Sequence, residues 1–332
     1  MRYRTFGRIG WNVSEIGFGA WAIGGDAWGH QDDNESLAAL RRALDLGVTF
    51  IDTAQVYGNG HSEQLIARVL KERGQRGGGG PIRVATKIPP ANGVWPPLPD
   101  DVCGERYPAD YLRQRVEQSL RDLNAEVLDL VQLHTWTRAW NRDPVALETF
   151  QQLKKEGKIL AIGISTPEHD QNSLTGLMRA DLLDSVQVIY NIFEQEPAAE
   201  LLHVAQQHNV GVIVRVVFDE GSLTGKFTSE AAFAEGDFRR GYFRGERLAE
   251  TVRRVEQVRQ TIQTSQDDLK DMPSVAIRFA LKHPAVSVVI PGMRTVKQAE
   301  LNCATSDQEP LSDALHHALK AHIWRRADWY QD

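Results

Sequence analysis

Cysteine is nearly absent from this chain of 332 residues, which has only Cys103 and Cys303. Two thiols make no disulfide framework, and without a CxxC pair there is no zinc or redox motif. A reducing setting, the cytoplasm, is the expectation. Long apolar runs are missing too: no stretch approaches the roughly 18 apolar residues that a membrane span requires. The N-terminus, MRYRTFGRIG, lacks the apolar centre of a secretion signal. Charge of one sign is scarce. A formal net charge of -6 provides no basic footprint for nucleic acid and no acidic run of the disordered-tail kind. The 10 histidines show no HExxH or similar cluster, so no metal site is expected. No strand-linked GxGxxG supports a Rossmann domain, and Gly163-Ile164-Ser165-Thr166 lacks the second glycine of a nucleophile elbow.

What is present is the pattern of a folded globular protein, 42% hydrophobic and 25% charged. Arg2 to Phe6 and Trp11 to Val13 flank a turn-rich Gly7-Arg8-Ile9-Gly10, which predicts a hairpin. Short apolar strands then alternate with helical periodicity. Strand runs fall at Ile16–Gly19, Val48–Ile51, Ile82–Thr86, Val127–Leu133, Ile159–Ile164, Val186–Ile189, Val210–Val217 and Val286–Ile290. Between them lie helical stripes such as Leu37, Leu40 and Leu44 after the N-cap types Asp33 and Asn34. Leu147, Phe150 and Leu153 follow Asp143-Pro144, read as an N-cap and a first-turn proline. A polar insertion runs from Asp219 to about Gly245, and the tail from Leu311 is helical in composition. About eight strands separated by helices imply a parallel sheet covered by helices. Eight such units favour closure into a barrel. The fold expected is therefore α/β, a (β/α)8 TIM barrel with an N-terminal β-hairpin as plug and extra C-terminal helices, a single domain over residues 1–332.

In such a barrel the catalytic groups gather at the C-terminal ends of the strands. Asp52 ends one strand run, Lys87 the next and His134 the one after. Tyr57 follows Asp52 in a loop where Gly58 and Gly60 permit a sharp turn. One polar residue past a strand is usually a cap or a solvated side chain. Three in register on consecutive strands, with a tyrosine beside them, point to one site.

These segments resemble the aldo-keto reductases. Asp52-Thr53-Ala54-Gln55-Val56-Tyr57-Gly58 is similar to the family signature around its aspartate and tyrosine, and Lys87 and His134 match the lysine and histidine that complete its tetrad. Gly163-Ile164-Ser165 and Ile290-Pro291-Gly292-Met293-Arg294 resemble its cofactor motifs, and the likeness runs from the hairpin to about Asn302. The resemblance implies an NADPH-dependent oxidoreductase with a small carbonyl substrate and Tyr57 as proton donor. Hydride delivered to a carbonyl carbon builds charge on its oxygen, which needs an acid and electrostatic support. Free tyrosine is a weak acid, with a pKa of about 10. An ammonium about 4 Å away favours tyrosinate by roughly 4 kcal/mol at an effective dielectric of about 20. That is about three pKa units, less what desolvation takes back. Lys87 is thus expected to make Tyr57 more acidic, Asp52 to hold Lys87 charged, and His134 to hydrogen-bond the substrate oxygen.

The resemblance also assigns the cofactor surface. Ser165 and Gln187 match the residues that hold the nicotinamide carboxamide. Gly221-Ser222-Leu223-Thr224-Gly225-Lys226 resembles the loop over the pyrophosphate, with Gly221, Leu223, Gly225 and Lys226 in contact. Arg294, beside Pro291 and Gly292, is suited to bidentate pairing with a 2′-phosphate. Gln298 and Asn302, one helical turn apart, face the adenine. Three positions depart from the family pattern: Thr166 for asparagine, Arg215 for the aromatic ring that stacks on the nicotinamide, and Leu301 for a glutamate near the adenine. Thr166 and Arg215 are still expected against the cofactor. Arg215 stacks as a guanidinium or alternatively binds an anionic substrate. Trp21, Trp28, Trp95 and Trp136 fall in rim loops, with Trp21, Trp95 and Trp136 read as pocket walls and Trp21 also touching the cofactor. Trp324, Trp329 and Tyr330 read as docking contacts of the tail. Two classes of function fit: an enzyme reducing aldehydes or ketones, or running in reverse on a sugar or alcohol, and a nicotinamide-binding redox-sensing module without turnover. The complete tetrad favours the enzyme.

Overall fold

A computed structural model describes residues 1–25, 27–98, 100–267 and 271–330. The first two strands, β1 (Tyr3–Phe6) and β2 (Trp11–Ser14), form the expected antiparallel hairpin. Eight more follow: β3 (Phe18–Gly19), β4 (Phe50–Asp52), β5 (Arg83–Ile88), β6 (Leu128–Leu133), β7 (Ile159–Ser165), β8 (Ser185–Ile189), β9 (Gly211–Arg215) and β10 (Val286–Val289). They pair in parallel in chain order from β3 to β10. Bridges between Ile16 and Val289 and between Gly19 and Gly292 join the last strand to the first, so the sheet closes into a barrel. Helices link the strands on the outside, among them Asp33–Asp45, His61–Glu72, Ala109–Asp122, Val145–Lys155, Met272–Leu281 and Val296–Ala304. Arg247–Gln263 and Asp313–Lys320 are additions to the repeat. No described helix is long and apolar enough to cross a membrane.

The hairpin closes the N-terminal end of the barrel. Phe6 is fully buried and packs with Val13, Phe50, Ala85, Leu130, Ala161, Ile213 and Val288. Gly211 makes room for it, because a Cβ there would lie 2.4 Å from the Phe6 ring. Burying one such aromatic side chain contributes about 1.5–3 kcal/mol.

Element ends move by a few residues where a local interaction overrides the apolar run. The cap of the first barrel helix is Asp32, whose side chain accepts from the Glu35 amide, rather than Asp33 or Asn34. Val145–Lys155 starts after Pro144, with no side-chain cap from Asp143. The run Val210–Val217 is strand only to Arg215, because Val216 turns into the left-handed region at φ 54. That conformation is strained for a β-branched residue. The Val216 carbonyl is held by the Asn191 side-chain amide at 2.9 Å.

Candidate active site

At the C-terminal end of the barrel the interior changes from apolar to ionic. Lys87 is only 1% exposed and faces the interior from β5. Its ammonium donates to Asp52 Oδ1 at 2.5 Å, to the Thr53 carbonyl at 2.8 Å and to the Tyr57 hydroxyl at 3.2 Å. The second Asp52 oxygen accepts from Gln187 Nε2 at 2.6 Å and Gln132 Nε2 at 3.4 Å. The carboxylate is thereby fixed from three strands. Tyr57 is placed by the turn after β4: its amide donates to the Ala54 carbonyl, and its carbonyl accepts from Ser62. Gly58 allows that turn, at φ +62, and a Cβ there would stand 2.1 Å from the Gly24 carbonyl oxygen. His134 follows β6, with its ring edge-on to Tyr57 at 5.8 Å and to Trp95 at 5.0 Å between centroids.

The electrostatics of this cluster differ in one respect from the sequence expectation. Burial, the largest influence, raises the Tyr57 hydroxyl above its ordinary value, Lys87 pulls it back, and Asp52 adds to the rise. The net direction is upward, where Lys87 alone would lower it. Taking the phenol out of water penalises the phenolate, and Asp52 spends much of the lysine's field. Tyr57 therefore stands protonated at neutral pH, as an acid must before it gives its proton away. Lys87 loses to burial but gains more from Asp52 and Tyr57, and ends above its usual range. Burial first, then Lys87 and Arg215, hold His134 well below its ordinary value, so its imidazole is neutral. Its Nδ1 finds no hydrogen-bond partner among the described residues.

Tyr57 and His134 open onto a cavity of about 650 Å³, within the range of small-molecule pockets. Of the residues singled out in the sequence, Trp21, Asp52, Trp95, Ser165, Gln187, Arg215, Gly221, Lys226, Pro291, Gly292, Arg294, Gln298 and Asn302 line it. Lys87 acts from behind Tyr57 and Asp52. Trp21 stacks on Tyr57 at 5.9 Å and on Phe238 at 4.9 Å, forming an aromatic column from the hydroxyl to the insertion.

Four residues expected at the site do not line this cavity. Trp136 is fully buried under the rim, where its indole donates to Asn141 at 2.8 Å and meets Trp140 edge-on; it is core, not a pocket wall. Thr166 is buried beside the site, its hydroxyl on Gln171 at 2.6 Å and its carbonyl accepting from Arg215 at 3.0 Å. It positions Arg215 and does not line the cavity. Leu223 turns wholly into the apolar core. Gly225 lies outside the lining and offers its carbonyl to Arg259 at 3.0 Å.

Other lining residues were given no place in the pocket from the sequence. Glu168 pairs with Arg215 at 3.1 Å and accepts from the Trp95 indole at 3.2 Å. Trp28, Phe238 and Arg239 join the rim loop to the insertion: the Phe238 amide donates to the Ala27 carbonyl, and Arg239 lies 4.6 Å over Trp28. Glu220 and Tyr330 bring in the C-terminal tail, with the Tyr330 hydroxyl donating to Glu220 at 2.6 Å. Burial pushes Glu220 up to about 7. The tail is also anchored by a buried Arg326–Asp219 ion pair. Trp28 was visible as one of the rim tryptophans. The rest lie on loops or single-turn helices too short for a periodicity to mark the inward face.

The residues present fit a dinucleotide. Around Tyr57 and His134 the wall is aromatic, with buried polar atoms still unpartnered at His134 Nδ1 and Arg215 Nε. Where β9 and β10 end, the lining is rich in donors, with Lys226, Arg294, Gln298 and Asn302. Arg294 is already engaged. Its guanidinium donates to Gln31 Oε1 at 2.7 Å, the His30 carbonyl at 2.9 Å and the Trp28 carbonyl at 3.2 Å. It therefore ties the rim loop down at the place assigned to the 2′-phosphate.

Comparison with known proteins agrees with this geometry. The family model described as Aldo/keto reductase family matches residues 15–323. The aldo-keto reductase YhdN of Bacillus subtilis (strain 168) is 32% identical over 307 residues, 90% of this chain and 87% of that protein. The solved structure of the aldo-keto reductase AKR11C1 from Bacillus halodurans, holo form, is similar with a TM-score of 0.74 at 26% identity, over 97% of this chain and 96% of that one. The glycerol dehydrogenase AKR11B4 from Gluconobacter oxydans gives a TM-score of 0.75 at 26% identity, over 96% of this chain and 94% of that one.

Proposed function

The chain belongs to the aldo/keto reductase family of oxidoreductases, and from that premise we propose that it reduces small aldehydes or ketones to alcohols at the expense of NADPH, with Tyr57 as the proton donor. The observation that carries this reading is the Lys87 ammonium 3.2 Å from a Tyr57 hydroxyl that faces the cavity. The bound nicotinamide dinucleotide supplies the hydride; Ser165, Gln187, Arg215, Gly221, Lys226, Pro291, Gly292, Arg294, Gln298 and Asn302 are the residues proposed to hold it, with Trp21 against it.

The rest is the work of the side chains. The neutral His134 imidazole carries one N–H, which orients the carbonyl oxygen beside Tyr57. As charge grows on that oxygen, Tyr57 gives up its proton. An alkoxide is a far stronger base than a phenolate, so the transfer runs downhill even from a phenol whose acidity burial has reduced. Lys87 stabilises the phenolate as it forms, through a charge-assisted hydrogen bond in a water-poor site. Asp52, held by Gln187 and Gln132, keeps Lys87 in place.

A panel of neutral aldehydes and ketones with NADPH tests the proposal, followed by alcohols with NADP⁺ for the reverse reaction. Multiple-turnover NADPH oxidation is expected with at least one carbonyl compound. Tight cofactor binding with no turnover in either direction would replace the enzyme by the redox-sensing module.

A further inference from the structure

Arg215 stands over the same part of the cavity as His134, and a cation there would attract a carboxylate. The structure gives it a partner. Glu168, 8% exposed, holds the Arg215 guanidinium through Oε1 at 3.1 Å and the Trp95 indole N–H through Oε2 at 3.2 Å. Trp95 in turn lies edge-on to His134 at 5.0 Å. One carboxylate thus joins the loops after β5 and β7 to the C-terminal end of β9. We propose that Glu168 sets the charge preference of the substrate pocket: by neutralising Arg215 and latching Trp95 against His134, it admits uncharged carbonyl compounds and turns away those bearing a carboxylate. This rests on the carbonyl-reductase reading above.

The charge inventory supports it. The cations whose fields reach His134 are Lys87 and Arg215. Lys87 is matched by Asp52 and Arg215 by Glu168. A substrate carboxylate entering beside His134 meets paired cations, and Glu168 repels it. Arg215 retains a donor, since its Nε is buried without a hydrogen-bond partner among the described residues. Take away the Glu168 charge, and that guanidinium becomes an anion site of the bidentate type.

The test is steady-state kinetics near neutral pH with a matched pair, para-nitrobenzaldehyde and para-carboxybenzaldehyde. The wild-type enzyme should favour the neutral aldehyde in kcat/KM. Glu168→Gln, nearly isosteric, should shift the ratio by about tenfold or more toward the carboxylate, mainly through its KM, the mark of altered binding rather than altered chemistry. Arg215→Met should move the ratio the other way, because Glu168 is then left unpaired. The double variant should lose the gain. An unchanged ratio in Glu168→Gln, or the same gain in the double variant, overturns the assignment. If Glu168→Gln does not fold, Arg215→Met decides alone, and a failure to widen the preference overturns it. Absence of turnover with both aldehydes in the wild type is a different failure, of the carbonyl-reductase reading itself.

Discussion

The two ends of the barrel are made from the same strands, yet their interiors have opposite character. Phe50, Ala85, Leu130, Ala161 and Ile213 face inward toward the hairpin and pack around Phe6. One pleat further along the same strands come Asp52, Lys87, Gln132, Gly163 and Arg215. Side chains two residues apart share a face, so each strand serves both ends without changing its geometry. At Gly163 the missing side chain leaves space, where a Cβ would be 3.0 Å from the Gln132 side chain. The lesson is a division of labour. The plugged end stabilises through contact area, and the open end holds buried charges that their polar neighbours satisfy. Packing at one end and chemistry at the other is what a TIM barrel permits.

Substitutions can probe this division, in order of expected effect. The largest belongs to the open end. Tyr57→Phe should lower kcat by about 10⁴-fold, the upper end of what a positioned general acid contributes, while cofactor binding measured by fluorescence changes little. Near-normal turnover would remove Tyr57 from the acid role. Next comes the plug. Phe6→Ala should cost about 3–5 kcal/mol of stability, the range for emptying a buried aromatic site, read as a shift in the denaturant midpoint with an unchanged slope. A loss of kcat without loss of stability would contradict the separation of the two ends.

Glu63 sharpens the comparison from the barrel wall behind Lys87. It is fully buried, with Oε1 on Thr86 at 2.6 Å and Ser119 at 2.8 Å, and Oε2 has no partner among the described residues. Burial pushes it up from 4.5 to about 7. Between those values the unfolded chain has released the proton and the folded chain still holds it, so stability falls as pH rises through the window. Glu63→Gln should therefore stabilise the protein at pH above about 7, by about 3 kcal/mol at most, and confer nothing near pH 4.5. Equal thermal shifts at both pH values would show that charge burial is not the cause.

The smallest expected effect lies at Arg294. Its replacement by alanine should raise the dissociation constant for NADPH about tenfold or more, the worth of a hydrogen bond to a charged group, and that for NADH much less. Equal weakening of both would mean that Arg294 acts only by holding the loop at Trp28, His30 and Gln31.

Much of this was legible before any coordinates. The strand and helix periods gave the barrel, because burial on a covered parallel sheet imposes an apolar run and an amphipathic helix imposes a stripe. The inward step along each strand then placed Asp52, Lys87 and His134 on one rim. Trp136 was misread because a loop tryptophan carries no period to say which way it faces. The placement of Thr166 and Leu223 away from the cavity has the same origin, and so do the omission of Glu168 and Phe238 and the reading of Tyr330 as a docking contact alone.

By itself, then, the sequence determined the closed α/β barrel, its plug, and the four residue types that meet at its mouth, because these follow from local repeat and from position along a strand. Only the tertiary structure decided which loop side chains face the cavity, that Arg215 is paired with Glu168, and that burial outweighs Lys87 in setting the acidity of Tyr57. Those are sums over neighbours far apart in the chain, and desolvation has no value until all of them are in place.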